Sequence, residues 1–421
     1  MSFSSPIWHP FTQHALRQHL PTVIEAEGAW LTLSSGERIL DAISSWWVIT
    51  HGHRHPRIVA AITAQAQRLD QVIFAEYTHE AAESVARGLL RIAPRGLSHV
   101  FYSDSGSTSV EVALKMALGY WRHRGASRHR IIVMEHSYHG DTVGAMSVGA
   151  RGVFTDDYEQ LLFDVARVPF PAAGRETQTI DRLESLCRAG DVAAFLVEPM
   201  VLGAGGMLMY TADTLAAMHA VCVRYGVLFI ADEVMTGWGR TGRRFACEHA
   251  DIRPDILCSS KGLTAGSLPL AVTLSTSEIF QAHYSTDRRR TFFHSSSFTA
   301  NPIACAAALA NLEIWDSEDV FGRIAALERL QREHLERFRG DPRFSGVRQT
   351  GTITALDVRA QDEGYLADMG PRLHASCLEA GVLLRPLGNT IYVLPPYCVT
   401  AAELGRIYDT ISHAADVAIR N

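Results

Sequence analysis

Tyr225-Gly226-Val227-Leu228-Phe229-Ile230-Ala231-Asp232-Glu233-Val234 is the stretch that decides the fold, with Lys261 following downstream. Val227 to Ala231 is an unbroken apolar run, too short for a helix and bounded by Gly226. It predicts a strand buried on both faces of a parallel sheet. The run stops abruptly at Asp232-Glu233, and carboxylates at the carboxyl end of a buried strand stand where open α/β sheets hold their ligands. A second strand, Ile256-Leu257-Cys258, delivers Ser259-Ser260-Lys261-Gly262 to the same edge. A lysine there is a candidate Schiff-base nucleophile, and an aspartate is the usual partner of a pyridinium nitrogen. Each taken singly also fits a cap or a salt bridge.

Working outward, His99 to Ser103 reads as a short strand leading into Asp104-Ser105-Gly106-Ser107-Thr108. Thr108 and Glu111 have capping-box spacing, which predicts a helix starting there. Such a turn offers free N–H groups, hydroxyls and the positive end of a helix dipole, a ready phosphate site. Ser and Thr cap many helices, so this signal gains weight only beside Lys261 and Asp232. The three together point to pyridoxal 5′-phosphate. The strand Arg130 to Glu135 precedes His136-Ser137-Tyr138-His139-Gly140-Asp141, where an aromatic side chain is placed to stack on a flat ring. His136 and His139 lack a third ligand for a metal. Ala193 to Val197 ends in Glu198-Pro199, ahead of a Gly203-Ala204-Gly205-Gly206 loop. Strands alternating with helical segments describe a doubly wound, mostly parallel α/β sheet.

The flanks differ in character. Trp46-Trp47 cannot both face one core from a regular strand, so at least one is expected to line a cleft or an interface. His51-Gly52-His53-Arg54-His55 resembles a metal cluster without the carboxylate or cysteine that would complete it. After residue 300 come an amphipathic helix (Asp319 to Arg339), strands at Thr352 to Val358, Val382 to Leu387 and Thr390 to Leu394, and a helix opened by Thr400 and Glu403. This is a small α+β domain. Arg385, inside an apolar strand, needs a partner: a substrate carboxylate or an internal acid. The expected division is an N-terminal segment 1–56 contributing to the small domain and the site, a large domain 57–300, and a small domain 301–421.

Length and composition bound the rest. A chain of 421 residues with 47% hydrophobic content and a net charge of −6 can bury a large core, and it offers no basic surface for nucleic acid. Met1 to Pro6 shows no basic-then-apolar pattern of a signal peptide, and no apolar run approaches bilayer length. The seven cysteines are scattered without a C-x-x-C pair, as expected of free thiols in a reducing cytoplasm.

Trp46-Trp47, Asp104-Ser105-Gly106-Ser107, Tyr138-His139-Gly140-Asp141, Asp232-Glu233-Val234, Gly239-Arg240-Thr241-Gly242 and Ser260-Lys261-Gly262 together resemble the class III aminotransferases of fold-type I. Trp46-Trp47, Arg385-Pro386-Leu387-Gly388 and the segment from Tyr392 to Pro396 narrow the resemblance to the biotin-pathway branch. The resemblance implies amination of 8-amino-7-oxononanoate to 7,8-diaminononanoate, and a homodimer with sites at the subunit interface. It implies that Lys261 binds the cofactor and shuttles the proton, that Asp232 keeps the ring nitrogen protonated, and that Tyr138 stacks. Gly106 and Ser107 would hold the phosphate, with Ser296 and Ser297 supplied by the neighbouring subunit. Phe11, Trp46, Trp47, Ser295, Arg240, Tyr392 and Arg385 would bind substrate, Arg385 through its carboxylate. Two departures stand out. Ser295-Ser296-Ser297 replaces the family's G-P-T, and Phe11 replaces a tyrosine of the W-x-P-Y motif. Members that use lysine instead of S-adenosylmethionine carry phenylalanine there, so both donors stay open. A broad ω-amino acid or amine aminotransferase is the competing reading.

Overall fold

The computed structural model describes residues 5–16, 19–360 and 364–420, residue 420 by its backbone alone. Residues 1–4, part of the N-terminal stretch read for a signal peptide, lie outside these.

A seven-stranded sheet has the spatial order Leu97–Ser103, Ala271–Thr276, Ile256–Ser259, Leu228–Asp232, Val192–Val197, Arg130–Met134, Ala166–Val168. The last five run parallel, and Ala271–Thr276 runs antiparallel to both neighbours. Every residue of Leu228–Asp232 and of Val192–Val197 is buried, as the unbroken apolar runs require. Parallel pairing sets Asp232 beside Cys258 and Ala231 beside Val197. Asp232, Glu198 and Lys261 therefore arrive at one edge. Gly226 ends the helix Ala212–Tyr225 in the left-handed conformation, with φ +60°, and releases the chain into the central strand.

The helix expected from Thr108 begins one turn earlier, spanning Gly106–His123. Ser105 is its cap: its Oγ accepts from Thr108 N (3.2 Å), and Thr108 Oγ1 accepts from Ser105 N (2.9 Å). Glu111 instead binds Thr142 Oγ1 and Gly144 N. The shift matters because it leaves Gly106 and Ser107 at the open end of the helix.

Towards the C-terminus, Phe344–Thr350, Ile353–Val358 and Thr390–Val393 form an antiparallel sheet. A second sheet joins Val23–Glu27, Trp30–Leu33 and Arg38–Asp41 from the N-terminal segment to Val382–Leu383 from the C-terminal one. The strand expected over Val382 to Leu387 stops at Leu383, because Pro386 has no N–H to extend the ladder. Pro302–Ser317, a helix without amphipathic pattern, packs on Pro56–Arg68 and Glu80–Ile92, so packing runs on across residue 300. No described helix is long and apolar enough to cross a membrane.

Candidate active site

At the carboxyl edge of the sheet lies a cavity of about 150 Å³, lined among others by Gly106, Ser107, Tyr138, His139, Asp232 and Lys261. Its floor is the open end of the Gly106–His123 helix. Ser107 Oγ accepts from Asp141 N (3.3 Å), and Gly140 at φ +125° presses so closely on Ser107 that any added Cβ would collide with that hydroxyl. A Cβ on Gly106 would sit 2.7 Å from Val234 Cγ1. Backbone, hydroxyl and dipole thus converge with no side chain in the way.

Asp232 is buried, and its Oδ2 lies 2.7 Å from His139 Nδ1 while Oδ1 accepts from Val234 N at 3.1 Å. The carboxylate only accepts, so His139 carries its proton on Nδ1. His139 Nε2 is buried without a partner among the described residues. The sequence marks this histidine as half of an H-x-x-H pair and as part of the Tyr138–Asp141 motif, without a role of its own. Its role depends on a contact across 93 positions, which no local spacing reveals.

Lys261 stands at φ +44° at the head of a 3₁₀ turn, Lys261–Thr264, and makes no ion pair among the described residues. Its Nζ is 4.6 Å from the centroid of the Trp47 ring. Burial pulls its pKa down to about 8, against the opposing pull of Asp232 and Glu198. Near neutrality the amine is therefore free base to a far greater extent than an ordinary lysine, as a nucleophile requires. Glu198, also lining the cavity, was missed as a site residue. It accepts from Tyr138 N and Gly203 N, both at 2.9 Å, and burial pushes its pKa up to about 7. Burial likewise raises the pKa of the Tyr138 hydroxyl, with Asp141 adding to the effect. Tyr138 also borders an outer cavity of about 370 Å³ that reaches Phe154 and Tyr365.

Trp46 and Trp47 stand on no strand. Ser44 to Trp47 all have positive φ, forming a single left-handed turn closed by Trp47 N to Ile43 O (2.8 Å) and Val48 N to Ser44 O (2.9 Å). Asp41, wholly buried, holds the turn by accepting from Ser45 N, Ser45 Oγ and His53 Nε2. The turn sends the two rings apart: Trp47 is 5% exposed and faces Lys261, whereas Trp46 is 39% exposed. Trp46 meets Phe11 edge-on at 5.5 Å, and Arg385 lies over its ring at 5.0 Å. Arg385 is half-buried and donates to Phe11 O (3.2 Å), with no carboxylate pairing it among the described residues. Three residues drawn from distant parts of the sequence thus make one rim.

Two expected substrate-binding residues are used elsewhere. Arg240 is buried and donates to the carbonyls of Trp47, Ile49 and Pro395, so its guanidinium braces the segment behind Trp47. Tyr392 is buried too, its hydroxyl accepting from Trp47 Nε1 (3.0 Å) behind the cavity wall. Both act on Trp47, because a left-handed turn needs support that a strand would not. Ser295, Ser296 and Ser297 lie outside their own chain's cavity, and Ser297 O accepts from Gln71 Nε2. The three histidines of residues 51–55 go to three different partners, and the described residues contain no cluster of three or more metal-ligating groups.

These residues fit pyridoxal 5′-phosphate. The glycine-walled helix end suits a phosphate, buried Asp232 suits a ring nitrogen, and an amine of lowered pKa without an ion pair suits an aldehyde.

The class-III aminotransferase family model matches residues 12–415. The adenosylmethionine-8-amino-7-oxononanoate aminotransferase of Synechococcus elongatus is 46% identical, covering 97% of this chain and 98% of its own. That of Geobacter sulfurreducens is 41% identical over 96% and 94%. Among solved structures, the enzyme of that name from Methanocaldococcus jannaschii superposes with a TM-score of 0.92 at 33% identity, over 97% of each chain. A PLP-bound amine transaminase from an uncultivated Pseudomonas species gives 0.91 at 32% identity, over 98% of each. With the family match spanning nearly its whole length, the chain belongs to the class III aminotransferases.

Proposed function

We propose that this aminotransferase converts 8-amino-7-oxononanoate to 7,8-diaminononanoate in biotin biosynthesis, with S-adenosylmethionine as amino donor and lysine as the alternative donor. The observation that carries the substrate reading is the rim of Phe11, Trp46 and Arg385 on a chain similar over nearly its full length to enzymes of that name. Arg385 has a guanidinium free to take a keto-acid carboxylate, and Trp46 offers an apolar face to the chain behind it. An exposed aromatic face also attracts a sulfonium cation.

Pyridoxal 5′-phosphate, when bound, supplies a conjugated ring that accepts the electron pair left when a substrate Cα loses its proton. The chain's own residues do the rest. Lys261 would supply an amine whose lowered pKa favours the free base, and would move the proton. Asp232, held by His139, would keep positive charge at the ring nitrogen. Tyr138 would stack on the ring, while Gly106 and Ser107 would hold the phosphate.

The working unit is a homodimer, with Ser296 and Ser297 completing the phosphate site of the other copy. Supporting this, Phe293, Phe298, Ile73 and Tyr77 are exposed around the Ser295–Ser297 segment, which Gln71 ties to the loop of residues 70–77. A cytoplasmic location suits the seven unpaired cysteines, six of them buried.

A broad amine or ω-amino acid aminotransferase is the second reading, favoured by the amine transaminase that superposes as well as the biotin enzyme does. A coupled assay offering 8-amino-7-oxononanoate with S-adenosylmethionine, lysine and simple amines separates the two. Robust turnover with simple amines and none with 8-amino-7-oxononanoate would overturn the proposal. For the donor, Phe11→Tyr restores a hydroxyl at the rim and is expected to raise preference for S-adenosylmethionine by up to about tenfold, the worth of one hydrogen bond. Single-turnover conversion with each donor measures it.

A further inference from the structure

The histidine run at residues 51–55 takes no part in the chemistry above, yet one member reaches the cofactor lysine through a single intermediary. His51 Nε2 lies 2.8 Å from Oδ1 of Asn311, which is wholly buried on the Pro302–Ser317 helix. Asn311 Nδ2 donates to the carbonyls of Gly262 and Leu263, both at 2.9 Å. Those are the two residues directly after Lys261.

The protons can be assigned from this pattern. Asn311 Nδ2 uses both its hydrogens on carbonyls, so Oδ1 is the atom left for His51, which must donate from Nε2. His51 Nδ1 then bears a lone pair, and it has no partner among the described residues. Burial keeps the ring neutral by lowering its pKa to about 4; His55 and Arg323 act in the same sense, Asn311 and Glu318 against it. A flipped Asn311 amide would set its oxygen against two carbonyls. The two carbonyls therefore fix the orientation of the amide, and the His51 N–H satisfies the oxygen left over.

We propose that Asn311, backed by its hydrogen bond to His51, is a positioning residue that holds the Lys261 turn in register with the Trp47 wall. The proposal rests on the reading of Lys261 as the cofactor lysine. The geometry shows why such a hold is needed. Lys261 begins a turn of only four residues, and Ala265 just beyond it also has a positive φ. Three contacts grip this segment. Gly262 is so close to Trp238 that an added Cβ would lie 2.7 Å from the tryptophan Cβ. Gly266 lies against the Val48 backbone, where an added Cβ would come within 2.6 Å of the carbonyl carbon. Asn311 supplies the third, and among the described residues it is the one that joins the Lys261 turn by hydrogen bonds to the 48–51 segment following Trp47.

The test uses the full-length protein stripped of cofactor and retitrated with pyridoxal 5′-phosphate. The variants are Asn311→Ala, His51→Leu, and His51→Gln, which keeps an N–H donor. Three quantities are read: the pH midpoint of visible absorption, the rate of borohydride trapping at Lys261 located by peptide mass, and kcat against KM. Asn311→Ala and His51→Leu are expected to shift the midpoint, slow trapping, and lower kcat by about 10- to 100-fold with KM little changed, the usual effect of a small misplacement. His51→Gln is expected to recover most of the loss. Variants that lose thermal stability yet keep the wild-type midpoint and kcat would make both residues merely structural and overturn the proposal. If Asn311→Ala does not fold, the His51→Leu and His51→Gln pair decides alone. Failure of the wild-type protein to trap cofactor at Lys261 would instead sink the cofactor-lysine reading, and the proposal with it.

Discussion

Glu198 and Lys261 are displaced by burial in opposite senses, and the two shifts set how the cofactor-free chain responds to pH. Lys261 has its folded pKa lowered from 10.5 to about 8, so holding it protonated costs stability. That cost is full below the folded value and is relieved as pH rises from about 8 towards 10.5. Glu198 has its folded pKa raised from 4.5 to about 7. Its cost is absent below the unfolded value, grows through that window, and is full above about 7. Both costs are present together between about 7 and 8. The thermal midpoint of the cofactor-free chain is expected to dip there, and Lys261→Met is expected to lift the dip. A flat profile across pH 5 to 10 would show that neither group is perturbed. At the rim, Arg385→Ala is expected to raise KM for 8-amino-7-oxononanoate by about 10- to 100-fold, the range for a lost charge-assisted bond. The donor half-reaction should change less, and equal damage to both would make Arg385 structural.

Among the elements, the phosphate turn is the most exacting. Gly140→Ala puts a methyl group onto the Ser107 hydroxyl at a backbone angle that disfavours any Cβ. Cofactor affinity is expected to fall at least about tenfold with the fold intact, measured by equilibrium titration and circular dichroism. How much could be read beforehand follows from the same geometry. The strands ending at Asp232 and Lys261 were legible because residues buried on both faces leave an unbroken apolar run. The Thr400–Glu403 cap was legible because its bonds are local, as Thr400 N to Glu403 Oε2 at 2.7 Å shows. Helix Pro302–Ser317 was not, since it is buried nearly all round and has no polar stripe to mark a period. The turn at Ser44–Trp47 contains no glycine to announce its handedness. His139 and Asn311 act through contacts that only the folded chain creates. Arg240 and Tyr392 were placed in the right neighbourhood, but their bonds to the Trp47 segment span too much sequence to be read beforehand.

For the whole molecule, the proposed sharing of sites between two copies predicts complementation. Lys261→Ala disables a chain's own lysine, whereas Ser297→Glu disables the contribution it makes to its neighbour. Each homodimer is expected to be inactive. After mixing and subunit exchange, the heterodimer regains one intact site, which is about a quarter of all sites at random pairing. Persistent inactivity, with exchange confirmed by mass, would show that Ser297 does not serve the neighbouring chain's site.

The left-handed turn at Ser44–Trp47 carries a consequence for how this chain can change over generations. Each of its four residues adopts a backbone hand that costs about 1–2 kcal/mol outside glycine. Glycine would relieve that cost anywhere along it, yet every position is occupied by a side chain in use. Ser44 donates to Leu394 O, Ser45 to Asp41, Trp46 carries Arg385, and Trp47 walls Lys261. Drift or breeding towards heat resistance alone would admit glycine here and blunt the enzyme's choice of substrate. Lineages that must keep that choice are held to a less hardy chain at this corner, and have to find their robustness elsewhere.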